Sequence, residues 1–336
     1  MFQELGPDAR ELLGVVAFFP QGVNENNLDW LFPTTSNRTD VIDKFCILSL
    51  THRNDGFVTM LAPLRDHLSP KDPKSSSLLC AIKKCYFTWM SYPNKPNSRK
   101  ARWITSEDVN IEHLLDIFTT IDPNSGDVWV ACANFMEHLR HHKKRLTTLQ
   151  PKIEGLPDNH NSKPECLFQL SSLVYSVGNF VESKRLMSHA SNLWRERGYN
   201  NSVAQVLGRL SNINRLIGLP KEGIKQAKEA SEIHERLGDT MAQARCLDNL
   251  ALSLRDDNQL DAAEEAVFRA IAVLPKKGQE YRVCEFHETL GKIYRSKGEI
   301  EKAIHHFEVA LGITSSFDWH DRLFWIHYKL VELSHN

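Results

Sequence analysis

The 336-residue sequence has no long apolar run that could cross a membrane. The apolar stretch near its start runs from Leu12 to Phe19 and ends at Pro20, whereas a spanning helix needs about 20 apolar residues. The residues before this stretch are more acidic than basic, unlike the leader of a signal peptide. We therefore expect a cytoplasmic protein without a membrane partner.

Excess charge and cysteine motifs are also missing. The formal net charge is -1, so no overall field attracts nucleic acid or anionic lipid. The 7 cysteines are odd in number, and their spacing matches neither a zinc motif nor a disulfide framework. We predict reduced thiols packed in helices and no metal site.

Motifs for phosphate binding and nucleophilic catalysis are absent as well. A Walker A loop needs Gly-x-x-x-x-Gly-Lys-Ser/Thr, whose backbone N–H groups and lysine hold the phosphates. The only Gly-Lys pair, Gly291-Lys292, is followed by Ile293. No Gly-x-Ser-x-Gly elbow occurs either. The sequence therefore predicts no catalytic residue, no cofactor and no enzymatic activity in this chain.

What the sequence does contain is a repeat with a period of forty residues. A glycine or asparagine eight residues after each leucine ends one helix, and small residues at the alanine positions let two helices approach closely. Helix pairs repeated in this way stack into a solenoid. The recurring positions are Leu170, Leu210, Leu250 and Leu290; Gly178, Gly218, Asn258 and Gly298; and Ala190, Ala230, Ala270 and Ala310.

The last unit, with Leu290, Gly291, Tyr294, Ala303 and Phe307, resembles the tetratricopeptide repeat. The resemblance implies a right-handed superhelix. The final stretch, in which Leu330 continues the series, is predicted to be a capping helix whose Trp319, Phe324 and Trp325 cover the end of the core.

The first 70 residues show three helical patterns followed by a hairpin, in which Asn54-Asp55-Gly56 supplies the turn. Three helices with a wing is the winged-helix arrangement. Leu12-Leu13-Gly14 through Gly22, with the run from Met60 to Leu68, resembles the winged-helix segment of NACHT/NB-ARC signal-transduction ATPases. The resemblance is nearest to the NB-ARC/tetratricopeptide (STAND, NLR-like) proteins of mushroom-forming fungi.

The predicted fold class is therefore mainly α. It comprises a winged-helix domain (1–70), a helical connector (71–160) and a tetratricopeptide α-solenoid with a capping helix (161–336). The resemblance implies that a nucleotide-binding domain acts with this chain in cis or in trans. It also implies that the chain is a fragment, a truncated gene model or a protein that has lost its ATPase.

In tetratricopeptide arrays the first helix of each unit lines a concave groove, and the resemblance places a set of polar residues there. Asparagine amides can hold the backbone of an extended peptide, and the cations can pair with acidic side chains or a carboxylate. Gly208 stands where some members of the family have a carboxylate-clamping lysine. The candidates for a peptide groove are Asn212, Arg215, Arg245, Asn249, Arg255, Lys292 and Arg295.

Two further features have ordinary explanations beside functional ones. His138 and His142 are four residues apart in the basic segment 138–145, as a metal pair would be, but a solvated basic helix end is the simpler interpretation. The third helix of the predicted winged helix carries Arg38 and Lys44 but also Asp40 and Asp43. It therefore lacks a basic stripe for DNA.

Three functions remain open from the sequence. The first is the sensor and regulatory half of a STAND-type protein, with a protein or peptide as its ligand. The second is a freestanding adaptor that bridges two proteins. The third, less favoured because nucleic acid is not an expected partner, is a DNA-binding regulator.

Overall fold

The computed structural model describes residues 6–32, 37–69, 77–91, 99–142, 148–275, 279–316 and 320–334. The chain is mainly α, as predicted, and it divides into two compact units, Met1–Val177 and Gly178–Asn336. Each unit has its own buried apolar residues.

The first unit begins with short helices and a small sheet. The apolar run from Leu12 to Phe19 lies on the first helix and its C-cap and is buried, except for half-buried Gly14. The three antiparallel strands are ordered β1-β3-β2, and Arg53 of β2 pairs with Val58 of β3. The elements are α1 (Pro7–Phe18), β1 (Val23–Asn24), α2 (Leu28–Leu31), α3 (Arg38–Ile47), β2 (His52–Asn54), β3 (Phe57–Thr59) and α4 (Ala62–Leu68).

The predicted helices and the hairpin are confirmed, whereas β1 was not predicted. A strand of two residues carries no periodicity that a sequence could reveal. Its position depends on Gly22, which has φ +80 and whose Cβ, if present, would lie 2.2 Å from the carbonyl oxygen of Val58. Only glycine permits this approach of two backbones.

The rest of the first unit consists of helices, and it extends beyond the predicted boundary at residue 160. Helix α10 packs against α8 and α9, so the first helix of the first predicted repeat belongs to this unit. The helices are α5 (Ser77–Ser91), α6 (Arg99–Ser106), α7 (Asp108–Ile121), α8 (Gly126–His142), α9 (Leu149–Gly155) and α10 (Lys163–Ser176).

A buried carboxylate joins the two parts of this unit. Glu107, which is 1% exposed, accepts hydrogen bonds from Asn27 Nδ2 (2.7 Å), Tyr86 OH (3.0 Å) and Asn110 Nδ2 (2.9 Å). Asn110 Nδ2 also donates to the carbonyl oxygen of Gly22 at 2.8 Å. Burial raises the pKa of Glu107, although these three donors lower it. The network fixes the turn before β1 to the start of α7.

The second unit is a stack of helices in which each helix packs against the next. Helices α12 and α14, and α14 and α16, also contact each other directly, as the first helices of successive repeats should. The helices are α11 (Phe180–Glu196), α12 (Asn200–Leu216), α13 (Pro220–Leu237), α14 (Thr240–Asp256), α15 (Leu260–Val273), α16 (Glu280–Lys297), α17 (Ile300–Ser315) and α18 (His320–Ser334).

The recurring small residues perform the predicted roles. The four alanines of the series are all fully buried, which lets the paired helices approach. The helix-ending residues have positive φ: Gly178, Gly218, Asn258 and Gly298. Gly223 shows how close the packing is, because a Cβ there would lie 2.9 Å from both Ser211 O and Ser253 Oγ.

Asn258 is the one non-glycine member of the helix-ending series, with φ 61. We expect Asn258→Gly to leave the free energy of unfolding within about 0.5 kcal/mol of wild type, because glycine adopts this conformation freely. Asn258→Val should cost about 1–2 kcal/mol, since a β-branched residue is strained at positive φ. Urea unfolding measures both values. Equal stability of the two variants would contradict the proposed role of this position.

The capping helix differs in part from its prediction. Phe324 is 77% exposed and does not cover the core, whereas Ile326 and Leu333 of α18 are buried in it. Trp325 is half-buried and packs against Phe307 with ring centroids 6.2 Å apart. Trp319 lies outside the described residues. The prediction for Phe324 was wrong because adjacent positions of a helix point about 100° apart, and Trp325 takes the inward one.

Candidate functional site

The first helices of the repeats share a surface that we call the A-helix face. It consists of the side chains of α12, α14, α16 and α18 that lie on the side away from the packed core, at spacings of three and four residues. All seven sequence-predicted groove residues lie on it. Its main members are Asn212, Arg215, Arg245, Asp248, Asn249, Leu252, Arg255, Asp256, Glu285, Glu288, Lys292, Arg295, Arg322, Trp325, Lys329 and Glu332.

The asparagines expected to hold a peptide backbone make bonds within the chain. Asn249 Nδ2 donates to the carbonyl oxygen of Gly208 at 2.9 Å and so ties α14 to α12. Asn212 Oδ1 accepts from Arg215 Nη2 at 2.8 Å. A Cβ on Gly208 would lie 3.2 Å from Cys246 Sγ, so the clamp lysine is replaced by a residue that permits close packing. Asn249 therefore has a structural role on this face.

Asp256 is shared by two arginines from successive repeats. Its carboxylate lies 3.1 Å from Arg215 Nη1 and 2.5 Å from Arg255 Nη2. The Arg215 side chain is 17% exposed and the Arg255 side chain is 19% exposed, so both guanidinium groups are held close to the surface of the stack. Sharing one carboxylate between two cations leaves positive charge at the α12–α14 junction.

Helix α18 completes the face with residues that the sequence interpretation missed. Arg322 of α18 lies 2.9 Å from Glu288 and 3.3 Å from Glu285, both on α16, and its guanidinium carbon lies 4.5 Å from the Tyr281 ring centroid. The forty-residue period could have indicated this, because Arg322 is forty positions after Arg282. Because the last helix was interpreted only as a cap, its contribution to the face was not predicted.

Lys292 and Asp248 lie at the centre of this face. Lys292 Nζ lies 4.6 Å from the ring centroid of Trp325, and burial lowers the pKa of its ammonium, against the raising effect of Glu288 and Asp248. Burial raises the pKa of Asp248 to about 6, against the lowering effect of Thr289. Its Oδ1 is buried without a hydrogen-bond partner. The Asp248 carboxylate and the Lys292 ammonium act on each other, and each favours the charged form of the other.

The cysteine side chains that the structure describes are poorly suited to nucleophilic attack. The six whose side chains the structure describes are all free, which confirms the prediction for these. Burial raises the pKa of Cys246 to about 11 and also raises the pKa of Cys284. A thiol with such a pKa stays protonated at neutral pH and is a poor nucleophile.

His138 of the basic segment is not solvated, contrary to the prediction. His138 is 2% exposed and its Nε2 lies 3.2 Å from Thr105 Oγ1. That prediction was wrong because His138 faces the interior of the helix packing. The side chain of His142 and residues 143–145 lie outside the described part of the chain. Within the described residues, no group of three potential ligands could hold a metal ion.

Solved structures of similar fold include helical repeat proteins. A signal transduction ATPase with numerous domains (STAND) that has a tetratricopeptide repeat sensor, from Pyrococcus horikoshii, is similar over 99% of this chain and 48% of its own, with a TM-score of 0.61 and 12% identity. Aspartyl phosphate phosphatase F from Bacillus subtilis is similar over 96% of this chain and 79% of its own, with a TM-score of 0.53 and 12% identity. The apo form of RapI is similar over 76% of this chain and 71% of its own, with a TM-score of 0.52 and 14% identity.

At these identities the likeness concerns the fold, and this chain spans about half the length of the STAND protein. The fold is a mainly α chain with a tetratricopeptide-type solenoid. No protein-family model matches the chain, and no curated protein sequence matches it. In the described residues, none of the helices has the length and apolar character needed to cross a membrane.

Proposed function

We propose that this chain is the sensor and regulatory part of a STAND-type signalling protein, in which the A-helix face captures a polypeptide ligand. The observation that carries the proposal is the A-helix face, where polar side chains from four helices are linked by ion pairs and a hydrogen bond from one helix to the next. The likeness to a STAND protein with a tetratricopeptide repeat sensor supports it. The chain would act in the cytoplasm and without catalysis of its own.

We assign the first part of the chain as a winged-helix module. The order of helices and strands from α1 to β3, and the sheet order β1-β3-β2, support this assignment. In the resembled NB-ARC proteins such a module transmits the state of a nucleotide-binding domain. Ligand capture would then bias a two-state contact with such a domain, in cis or in trans, by binding one state more tightly.

DNA binding by this module has less support. On α3, Arg38 is paired with Asp29 at 2.5 Å, and Asp43 lies 2.6 Å from Arg53 of the hairpin. Cations that already pair with carboxylates are less available to neutralise DNA phosphates, and so they release fewer of the counterions bound to DNA. An adaptor that bridges two proteins would use the same A-helix face, and only a nucleotide-dependent response distinguishes it from the sensor.

Site-specific photocrosslinking tests whether the A-helix face binds a polypeptide. We expect a benzophenone amino acid in place of Leu252, on α14, to give a covalent adduct with a partner polypeptide when the full chain is irradiated in its native cells. The matched position is Phe268, which is exposed on α15 and outside the A-helix face. Adducts of the same size and yield from both positions, or none from position 252, would contradict the proposal.

A further inference from the structure

The last repeat contains a pair of histidines that face each other across its two helices. His287 on α16 and His306 on α17 are both half-buried, and their Nδ1 atoms lie 3.0 Å apart. Their ring centroids are 5.2 Å apart. At this distance one Nδ1 donates its proton to the lone pair of the other, which must be unprotonated. The contact therefore requires that at least one of the two rings is neutral.

The preceding units of the repeat carry other residues at the two positions of the histidines. The equivalent pairs, in chain order, are Leu167 and Leu186, Leu207 and Gln226, and Leu247 and Ala266. The leucines and the alanine are buried, and side chains of these three types do not titrate. Helix pairs of this kind therefore pack without imidazole at these positions. The last repeat differs by carrying the side chain whose charge changes between about pH 5 and pH 8.

Two further rings lie against His306. The ring of Tyr294 on α16 is stacked on it, with centroids 5.2 Å apart and 3° between the two planes. The ring of His305, its neighbour on α17, has its centroid 5.3 Å away. His306 therefore lies between His287 and His305, and a positive charge on any of these imidazoles disfavours a positive charge on the next.

The charged groups around this cluster are engaged with one another. Glu264 on α15 is the carboxylate that acts on His306, and it accepts hydrogen bonds from Tyr294 OH and from Lys297 Nζ. A positive charge on His306 would therefore compete with Lys297 for one carboxylate. The other ion pairs of the lysines beside the Tyr294 ring are Lys297–Asp261 and Lys302–Glu299.

This environment sets the direction in which both histidines titrate. Burial, followed by the neighbouring His287 and His305, lowers the pKa of His306 to about 4, against the raising effect of Glu264. Burial, followed by His305, also lowers the pKa of His287. The unfolded chain takes up these protons near the ordinary value of 6.5, and the folded pair takes them up only at lower pH. Acid therefore favours states in which the two rings are apart.

We propose that the His287–His306 pair is an acid-sensitive joint, which holds α16 against α17 at neutral pH and opens when both rings become positively charged. Two imidazolium rings in this geometry direct N–H groups and like charges at each other, so the contact is lost. The opening reaches the A-helix face, because Glu288 on α16 holds Arg322 of α18 at 2.9 Å. The joint acts whatever ligand the face binds.

Hydrogen–deuterium exchange of the full chain, resolved to peptides and corrected for the intrinsic effect of pH on exchange, tests the inference. From about pH 7 to about pH 5 we expect the opening equilibrium of α16 and α17 to rise about tenfold or more, because the open state takes up protons that the closed pair excludes. The double variant His287→Leu/His306→Ala carries the residues of the preceding unit and should lose this rise. His327→Gln, at an exposed position of α18, is the matched control and should keep it.

A second variant keeps the test valid if the double variant folds poorly. Gln226 stands two units before His306, so His306→Gln places in the last repeat a residue that the solenoid already accommodates. Glutamine can take part in a hydrogen bond but does not take up a proton, so this variant should lose most of the acid-induced rise. Circular dichroism verifies that each variant is folded before exchange is compared.

Three outcomes overturn the inference. The first is a rise of the same size in wild type, His306→Gln and the double variant. The second is a wild-type rise that is no larger in α16 and α17 than in α12 and α13. The third comes from NMR of histidine rings labelled with carbon-13, in which signals of His287 and His306 that titrate at the ordinary value of 6.5 would contradict the closed pair.

Discussion

Glu107→Leu is expected to lower the free energy of unfolding of the first unit by about 3 kcal/mol or more. Leucine cannot accept the hydrogen bonds of Asn27, Tyr86 and Asn110, and each buried donor left without an acceptor costs about 1–3 kcal/mol. The loss also frees the turn at Gly22, which Asn110 holds. Urea unfolding followed by circular dichroism measures the change.

The matched control is Glu112→Leu on α7, the helix that Glu107 precedes, where the carboxylate makes an exposed hydrogen bond with Thr148 at 3.0 Å. This change should cost less than about 1 kcal/mol, as exposed polar contacts do. Equal losses of unfolding free energy for Glu107→Leu and Glu112→Leu would show that the buried network stabilises the fold no more than an exposed hydrogen bond does.

The pH dependence of Glu107 has a defined sign. Burial raises its pKa in the folded chain, so the folded state takes up the proton at higher pH than the unfolded chain does. The free energy of unfolding of the wild type should therefore rise relative to that of Glu107→Gln as pH is lowered from neutral towards the ordinary value of 4.5. A fall of the wild type relative to Glu107→Gln over this range would contradict the direction of the shift.

Phe307→Ala is expected to lower the free energy of unfolding of the second unit by about 3–5 kcal/mol, the usual cost of removing a buried phenylalanine ring. Phe307 is fully buried, and its ring lies against Gly291 on α16 and Trp325 on α18. Losing it creates a cavity between the last helix pair and α18. The same variant should also change the fluorescence of Trp325.

Gly291→Ala supplies the partner for a double-mutant cycle. A Cβ at Gly291 would lie 2.8 Å from two atoms of the Phe307 ring, so the alanine alone should cost about 1–3 kcal/mol by overpacking. In the double variant the added methyl enters the space that the ring has left. We expect the two losses to be clearly less than additive. Strict additivity would mean that Gly291 and Phe307 do not share this packing.

The solenoid could be predicted from the sequence because its determinants are local and periodic. Buried leucines and alanines recur every forty residues, and the helix ends need residues that tolerate positive φ. The series from Gly178 to Gly298 can therefore be recognised in the sequence alone. The hairpin turn at Asn54–Gly56 can be recognised for the same reason. Each of these features depends on neighbours within one or two turns of chain.

The two-residue strand β1 and the buried Glu107 could not be predicted, because each depends on atoms far away in sequence. Glu107 accepts from Asn27, eighty residues earlier, and no period links the two. The A-helix face lies between these cases. The period identified which helices carry it, but the ion pairs of Arg215, Arg255 and Arg295 appear only when the helices are packed.

The sequence by itself determined that helix pairs stack and which side chains they leave outside the core, since a repeated apolar pattern has few ways to be buried. Only the tertiary structure decided which of those outer charges form ion pairs between repeats. That outcome depends on distances of a few ångströms between different repeats, and it distinguishes Lys292 from the paired arginines beside it.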